Sequence, residues 1–274
     1  MNFPRRLIIA AIFGSLFLPP QGCIEAPSSG GGSGGGGSSL RCLFVTDAFA
    51  DSRSRQADFN AIAAAGYNSV CALVDLQPGR PFVVPGRSKT HLTATARARI
   101  GECRAAGLKP IVMIRNDWAD DRGKDFPSKK VGFYSSAYLE QEKEFVTNLA
   151  RDLGGGVGIQ LAIEGTSGAA ADFNAALATH AADAGFSLIL VNLLGAAQAN
   201  WRRHPEALTA HSFHGLLRGV PCPNDIINTD GDRAITPDAA DTARKILNAS
   251  GKGWILWADA NIRGSVHPAF LKPL

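Results

Sequence analysis

Short runs of consecutive apolar residues recur along this chain, and most of them end in a polar or acidic residue. Strands that are apolar along their whole length are buried on both faces, as in a parallel sheet covered by helices. Eight such runs in about 235 residues, most of them separated by stretches of helical composition, predict an α/β fold, a closed (β/α)8 barrel of the TIM type. The runs are Cys42–Asp47, Ser69–Asp75, Pro110–Asp117, Gly158–Glu164, Ser187–Asn192, Ala210–His214, Asp225–Asp230 and Gly253–Asp259.

Apolar residues at helical spacing predict the helices between these strands. Three predicted helices end at a glycine just before the next strand, where a left-handed backbone conformation is needed. A further helix begins at Thr236, with Pro237 in its first turn. The remaining predicted helices cover residues 54–66, 93–107, 136–153 and 168–185.

The first 23 residues are predicted to be a signal peptide and not part of the barrel. Arg5 and Arg6 precede a short apolar run that is too short to cross a bilayer comfortably. Gly22-Cys23 then resembles the lipobox of bacterial lipoproteins, which implies export and a mature chain that begins at a lipidated Cys23. An ordinary cleaved signal, in which Cys23 has no role, and an uncleaved anchor are the alternatives.

Residues 24–39 consist mostly of glycine and serine and are predicted to form a flexible linker. A segment without side chains to bury behaves as a tether, so one folded domain is expected, from residue 40 to residue 274.

Composition limits the possible functions. The chain has 45% apolar residues, 19% charged residues and a net charge of +4. Its sequence contains no run rich in lysine and arginine, so nucleic-acid binding is not supported. Beyond Cys23 there are four widely spaced cysteines without a CxxC pair, which argues against a metal-thiolate site. Free core thiols are the default for Cys42, Cys71, Cys103 and Cys222, and one disulfide is the alternative.

The polar strand ends give the candidate catalytic residues, because TIM barrels carry their active sites at the carboxyl ends of the strands. Glu164 closes the fourth run and is followed by small residues, and Asp230 and Asp232 follow the seventh. Structural alternatives are a Glu164 that caps the next helix or pairs with Arg115, and an Asp-Gly-Asp segment that forms a turn or a cation-binding loop.

Further polar and aromatic residues at the same rim suit a sugar ligand, because planar hydrogen-bonding groups match vicinal hydroxyls and an aromatic ring stacks on a pyranose. The predicted substrate-binding residues are Asp47, Asp75, Asn116, Asp117, Asn192, His214, Trp257 and Asp259.

Other chemistries lack their motifs. The sequence contains no G-x-S-x-G elbow, P-loop or dinucleotide fingerprint. His211 and His214 form a close pair, but on a strand their side chains would point to opposite faces, so no metal is expected. No cofactor is expected either.

At this point the chain resembles the retaining clan of TIM-barrel glycoside hydrolases. The resemblance rests on two carboxylates, on strands 4 and 7, together with Trp257 on strand 8 and His214 on strand 6. The resemblance implies that Glu164 is the general acid/base and that Asp230 is its partner, with Asp232 as substitute. It also implies that Trp257 is the aromatic platform under the sugar. The clan has Glu where this chain has Asp230, and Asn where it has Ile163.

The expected function is therefore an exported glycoside hydrolase that cleaves a polysaccharide or a cell-envelope glycan with two carboxylates. The expected partners are the glycan and, only through a lipid on Cys23, a membrane. A carbohydrate-binding barrel without catalysis is the alternative, favoured by Ile163 and Asp230 at the two departures from the clan's pattern.

Overall fold

Eight β-strands form the centre of the molecule. The computed structural model describes residues 39–50, 58–74, 92–115, 135–162, 168–192, 207–212, 226–229, 235–257 and 266–273. Within these ranges the strands are β1 (Arg41–Phe44), β2 (Ser69–Leu73), β3 (Lys109–Arg115), β4 (Gly158–Ala162), β5 (Leu188–Asn192), β6 (Ala207–Ser212), β7 (Ile226–Asn228) and β8 (Gly253–Trp257). Each falls on or beside one of the apolar runs, which confirms that the runs mark strands.

The strands pair in chain order, all parallel, and β8 pairs with β1 to close the barrel. Carrying the residue offsets of the eight pairings once around the ring returns to β1 displaced by eight residues. Eight strands with a shear of eight are the geometry of a TIM barrel. The predicted barrel is confirmed for its strands.

Alternate residues of each strand face opposite sides of the barrel wall. One buried cluster contains only residues of strands and of the chain leading into β1, including Cys42, Phe44 and Ile255, and it fills the interior. The other combines strand residues such as Leu43 with the apolar faces of the helices. Since both faces of the strands are buried, the strands read as continuous apolar runs in the sequence.

Helices pack against the outside of the barrel. In chain order the described α-helices are α1 (Phe59–Ala64), α2 (Ala94–Ala105), α3 (Ser136–Leu153), α4 (Gly168–Asp183) and α5 (Ala240–Ala249). The side chains of Asp58, Thr93 and Ser135 accept hydrogen bonds from main-chain N–H groups in the first turns of α1, α2 and α3, as expected of N-cap residues. Gly66, Gly107 and Gly185 have positive φ where helices give way to strands, as predicted.

The predicted boundaries hold best for α3, whose observed range equals the predicted one. The prediction for the sixth strand was wrong at its start, because β6 begins at Ala207 and not at Ala210. A 3₁₀ turn at Pro237–Ala239 precedes α5, so Pro237 begins a tighter turn than predicted. The connections after β5 and β6 lie outside the described residues.

The chain enters the barrel at the amino ends of the strands. The Asn68 side chain accepts a hydrogen bond from the Arg41 N–H at 2.8 Å and donates one to the Ser39 carbonyl at 2.9 Å. The Trp254 N–H donates to the Leu40 carbonyl at 2.8 Å. Ser39 and Leu40 are therefore held at the amino ends of the strands, opposite their carboxyl ends.

The signal peptide, Cys23 and almost all of the linker lie outside the described residues and remain predictions. In the part of the chain that the structure describes, no helix is long and apolar enough to cross a membrane. The described residues belong to one compact unit, Ser38–Leu274.

The C-terminal segment packs against helix α5 and the chain leading into β2. The Tyr67 hydroxyl donates a hydrogen bond to the Phe270 carbonyl at 3.0 Å, and its ring meets the Trp254 ring edge-on at 5.7 Å. Arg244, 2% exposed, lies over the Tyr67 ring and donates to the Ala65 carbonyl at 3.1 Å. A buried guanidinium is thus compensated by an aromatic face and a main-chain acceptor.

Three cysteines, Cys42, Cys71 and Cys103, are buried and form no disulfide. Burial raises the pKa of Cys103 to about 12 and raises that of Cys42 well above its usual value. Both therefore remain protonated thiols near neutral pH and belong to the core.

Gly158, the first residue of β4, is predicted to be intolerant of a side chain. A Cβ there would lie 3.0 Å from Ile111 Cγ1 and 3.3 Å from Leu188 Cβ. Gly158→Val should lower the free energy of unfolding by about 1–3 kcal/mol through overpacking, measured by urea unfolding followed by circular dichroism. Gly101→Ala is the control, because a Cβ at that helical position meets nothing within 4 Å. It should stabilise the protein by about 0.5–1 kcal/mol, and equal destabilisation by both changes would contradict the packing argument.

Candidate active site

The carboxyl ends of all eight parallel strands lie together at one end of the barrel. Four described residues mark this end. Asp47 lies in the turn after β1, Asn192 is the last residue of β5, Thr229 follows β7 and Trp257 is the last residue of β8. They form the described part of the candidate site.

The other predicted site residues lie outside the described residues, so their roles stay predictions. Among the catalytic candidates these are Glu164, Asp230 and Asp232, and among the substrate-binding candidates they are Asp75, Asn116, Asp117, His214 and Asp259.

Trp257 is fixed against the packed interior of the barrel. Its ring stacks on the Phe44 ring, with centroids 4.8 Å apart and planes inclined by 24°. The two residues are register partners in the β1–β8 pair, and Phe44 is 3% exposed whereas Trp257 is only half-buried. One face of the Trp257 ring is therefore covered by Phe44, and the residue as a whole is half-buried.

Thr229 joins the ends of β7 and β8. Its Oγ1 accepts a hydrogen bond from the Trp257 N–H at 2.6 Å and donates one to the Trp257 carbonyl at 3.2 Å. Its own N–H donates to the Ile255 carbonyl at 3.2 Å. The sequence analysis missed this residue, and the only signal available was its place directly before Asp230.

Asp47 is buried, with 2% of its surface exposed. Its carbonyl accepts a hydrogen bond from the Ala50 N–H at 3.0 Å, which holds the turn after β1. The sequence predicted that Asp47 lies at an open rim. Because so little of its surface is accessible, its carboxylate can hydrogen-bond a sugar hydroxyl less readily than that prediction assumed. Its part in binding stays a prediction.

Gln160 introduces a polar group into the barrel interior. It lies on β4, is 1% exposed, and its Oε1 accepts a hydrogen bond from the Cys71 Sγ across the barrel at 3.2 Å. The sequence signal was the single polar residue inside the apolar run of β4, and the sequence analysis did not use it. This contact places the side chain of Gln160 on the inner face of β4, which fixes the alternation of that strand.

Within the described residues no group of three or more His, Cys, Asp or Glu side chains could hold a metal ion. The described part of the site contains the half-buried ring of Trp257 and the hydrogen bonds that join Thr229 to the main chain of Trp257.

The comparisons with known proteins agree with this architecture. No protein-family profile matches the sequence, and no curated protein matches it. Among solved structures, ZgEngAGH5_4 in complex with a cellotriose is similar at a TM-score of 0.51 and 11% identity, over 80% of this chain and 87% of that one. A GH5-4 broad-specificity endoglucanase from Bacteroides salanitronis is similar at 0.50 and 13% identity, over 85% and 90%.

A trimodular GH5_4 endoglucanase is similar at a TM-score of 0.52 and 9% identity, over 81% of this chain and 56% of that one. Identities this low establish a shared fold. The chain thus has the TIM-barrel fold of GH5 glycoside hydrolases, and the resemblance inferred from the sequence is confirmed at the level of the fold.

The support that Phe44 gives to Trp257 yields a prediction. Phe44→Leu keeps an apolar side chain but removes the stacked ring, and it should lower the free energy of unfolding by about 0.5–1.5 kcal/mol beyond the loss of buried area. It should also change the near-ultraviolet circular dichroism of the tryptophans, because the Trp257 ring loses its neighbour.

Phe59→Leu is the matched control. Phe59 pairs with Phe49 at 5.9 Å between barrel and helices, and away from Trp257. Phe59→Leu should lower the free energy of unfolding by a comparable amount, without the same change in the near-ultraviolet circular dichroism. Identical spectra for the two variants would contradict the assigned role of Phe44.

Proposed function

We propose that this protein is an exported glycoside hydrolase that cleaves a polysaccharide or cell-envelope glycan with two carboxylates. Support comes from the barrel, from the aromatic surface at the carboxyl ends of its strands, and from similarity in fold to endoglucanases. One of those relatives was solved with a cellotriose, so β-linked glucose oligomers are the first ligands to test.

The alternation along β4 and β7 is the observation that carries the proposal. Gln160 on β4 and Ile226 on β7 face the barrel interior. Side chains alternate along a strand. We propose that this alternation continues two residues beyond Ala162 and Asn228, the last residues of β4 and β7, so that positions 164 and 230 face inward as well. Both positions carry a carboxylate, Glu164 and Asp230.

Strands β4 and β7 lie three steps apart in a ring of eight, with β5 and β6 between them. Carboxylates that extend from their ends approach a ligand from two sides, as glycosidic cleavage requires. Glu164 protonates the leaving oxygen while Asp230 attacks the anomeric carbon or activates a water. Asp232, two residues further on, is the substitute for Asp230.

Substrate binding is assigned to the surface around these carboxylates. Trp257 supplies the stacking surface and His214 a hydrogen bond near the reacting sugar. The remaining rim residues supply planar groups to the hydroxyls: Asp75, Asn116, Asp117, Asn192 and Asp259.

A glycan-binding barrel without catalysis is the second candidate. It is favoured by the departures from the clan's pattern, Ile163 before Glu164 and Asp in place of Glu at position 230. Such a protein would retain Trp257 as a stacking surface and bind oligosaccharides without cleaving them.

Two substitutions test the catalytic assignment on carboxymethyl cellulose, cellotriose and peptidoglycan. Removing a positioned proton donor typically costs about 10²–10⁴-fold in rate, so Glu164→Gln should lower kcat by that order on these substrates. The loss should be smaller on a nitrophenyl cellobioside, whose leaving group departs unprotonated. Asp230→Asn should lower kcat on both kinds of substrate alike.

Glu140→Gln is the control for loss of a carboxylate, because Glu140 is exposed on α3 and pairs only locally with Lys143 at 2.8 Å. It should leave kcat unchanged. Parent-like activity of both site variants would refute the assignment, whereas activity lost in Asp232→Asn but kept in Asp230→Asn would transfer the second role to Asp232. Binding without cleavage by the parent protein would favour the second candidate.

Export and lipidation are proposed from the N-terminal sequence. The basic start, the short apolar run and Gly22-Cys23 support a signal peptide whose product is anchored by a lipid on Cys23.

Cys23→Ser should therefore release the protein from membranes or block its maturation, measured by fractionation and by incorporation of a labelled fatty acid in bacteria. Ser28→Ala in the linker is the control and should change neither. A Cys23→Ser variant that fractionates and matures like the parent would show that Cys23 is not the anchor.

A further inference from the structure

The end of β7 is connected to the end of β8 through one hydroxyl group. Thr229 is 1% exposed, and its Oγ1 hydrogen-bonds both the N–H and the carbonyl of Trp257, at 2.6 and 3.2 Å. A threonine hydroxyl has one proton to donate and lone pairs to accept with, so both capacities are used on a single residue.

The same carbonyl of Trp257 accepts a second hydrogen bond, from the Ile235 N–H at 3.3 Å. Residues 230–234, which include the candidate carboxylates Asp230 and Asp232, connect Thr229 with Ile235 in the sequence. The chain therefore leaves β7 and returns to the barrel at two points that are both bonded to the main chain of Trp257.

The ring of Trp257 is restrained independently. Its stacking on Phe44 at 4.8 Å fixes one face, while Thr229 fixes the main chain that carries the ring. The stacked contact restrains the ring and the hydrogen bonds restrain the main chain, which lowers the entropy lost when a ligand stacks on the ring.

We propose that Thr229 is a positioning residue of the glycan site: its hydroxyl sets the position of Trp257 and the point at which the chain departs towards Asp230. The proposal rests on the proposed function for its effect on catalysis. The contact between Thr229 and Trp257 stands on the geometry alone.

Thr229→Val tests the proposal, because valine has nearly the shape of threonine but neither donates nor accepts a hydrogen bond. Without the hydroxyl, the Trp257 N–H loses its acceptor, while the bond from the Thr229 N–H to the Ile255 carbonyl remains. The Trp257 amide should then exchange its hydrogen at least about tenfold faster, as expected where opening of a local bond becomes easier. The Trp254 amide, bonded to the Leu40 carbonyl at the other end of β8, should be unaffected.

Catalysis should respond in a way that a purely structural role would not produce. Because small misplacements of a binding group can cost about 10²-fold, kcat/KM for carboxymethyl cellulose should fall by about 10- to 100-fold in Thr229→Val. Thr229→Ser keeps the hydroxyl and should restore both the exchange rate and kcat/KM to near the parent values.

Thr179→Val is the matched control, since the Thr179 hydroxyl also donates to a main-chain carbonyl, that of Ala175 at 3.0 Å, but within α4. It should alter neither measurement. Unchanged amide exchange and unchanged kcat/KM in Thr229→Val would overturn the proposal, and so would equal losses in Thr179→Val. If Thr229→Val does not fold, Thr229→Ala provides the same comparison against Thr229→Ser.

The role of Thr229 in fixing the main chain of Trp257 and its effect on catalysis are tested separately. A parent protein that neither binds nor cleaves cellotriose, carboxymethyl cellulose or peptidoglycan would overturn the proposed function and the catalytic part of this inference. The amide exchange of Trp257 would still decide whether Thr229 fixes its main chain.

Discussion

The pairing of β1 with β8 is the interaction on which the rest of the molecule depends. The other strand pairings join neighbours in the chain, but this one joins its two ends and turns a sheet with two open edges into a closed wall. Closure with a shear of eight fixes strand tilt and barrel radius together. It also brings all carboxyl ends to one rim, so a site assembled from distant parts of the sequence becomes possible.

The alternation of side chains across that wall divides the molecule into two cores with different tasks. The outer core joins strands to helices and tolerates a buried cation such as Arg99, which lies over the Phe59 ring. The inner core is packed with residues such as Ile111, Met113 and Ile255, and in the described strands Gln160 interrupts it with a hydrogen bond to Cys71. A filled interior excludes a ligand, which confines binding chemistry to the rim.

Local signals account for what the sequence predicted well. Helix α3 was placed to the residue because Ser135 caps its start, Gly154 ends it and its apolar residues repeat at helical spacing. The start of β6 was predicted three residues too late, although Pro205 stands shortly before Ala207 and is a turn signal. The role of Thr229 was not predictable, since its partners lie 28 residues away and are main-chain groups. Hydrogen bonds of that kind leave no trace in residue type.

Trp257 is the residue at which the packed interior becomes a surface. One face of its ring continues the inner core through Phe44, and its exposed part lies at the carboxyl end of the barrel. The strand pairs that hold it are among those that close the barrel, so its position is determined by the fold and needs no ligand to form. The candidate carboxylates Glu164, Asp230 and Asp232 follow the ends of β4 and β7 in the sequence. The barrel thus holds Trp257 in place in both of the proposed functions. Both the hydrolase and the binding protein are therefore consistent with one architecture, and the residues at positions 164 and 230 decide between them.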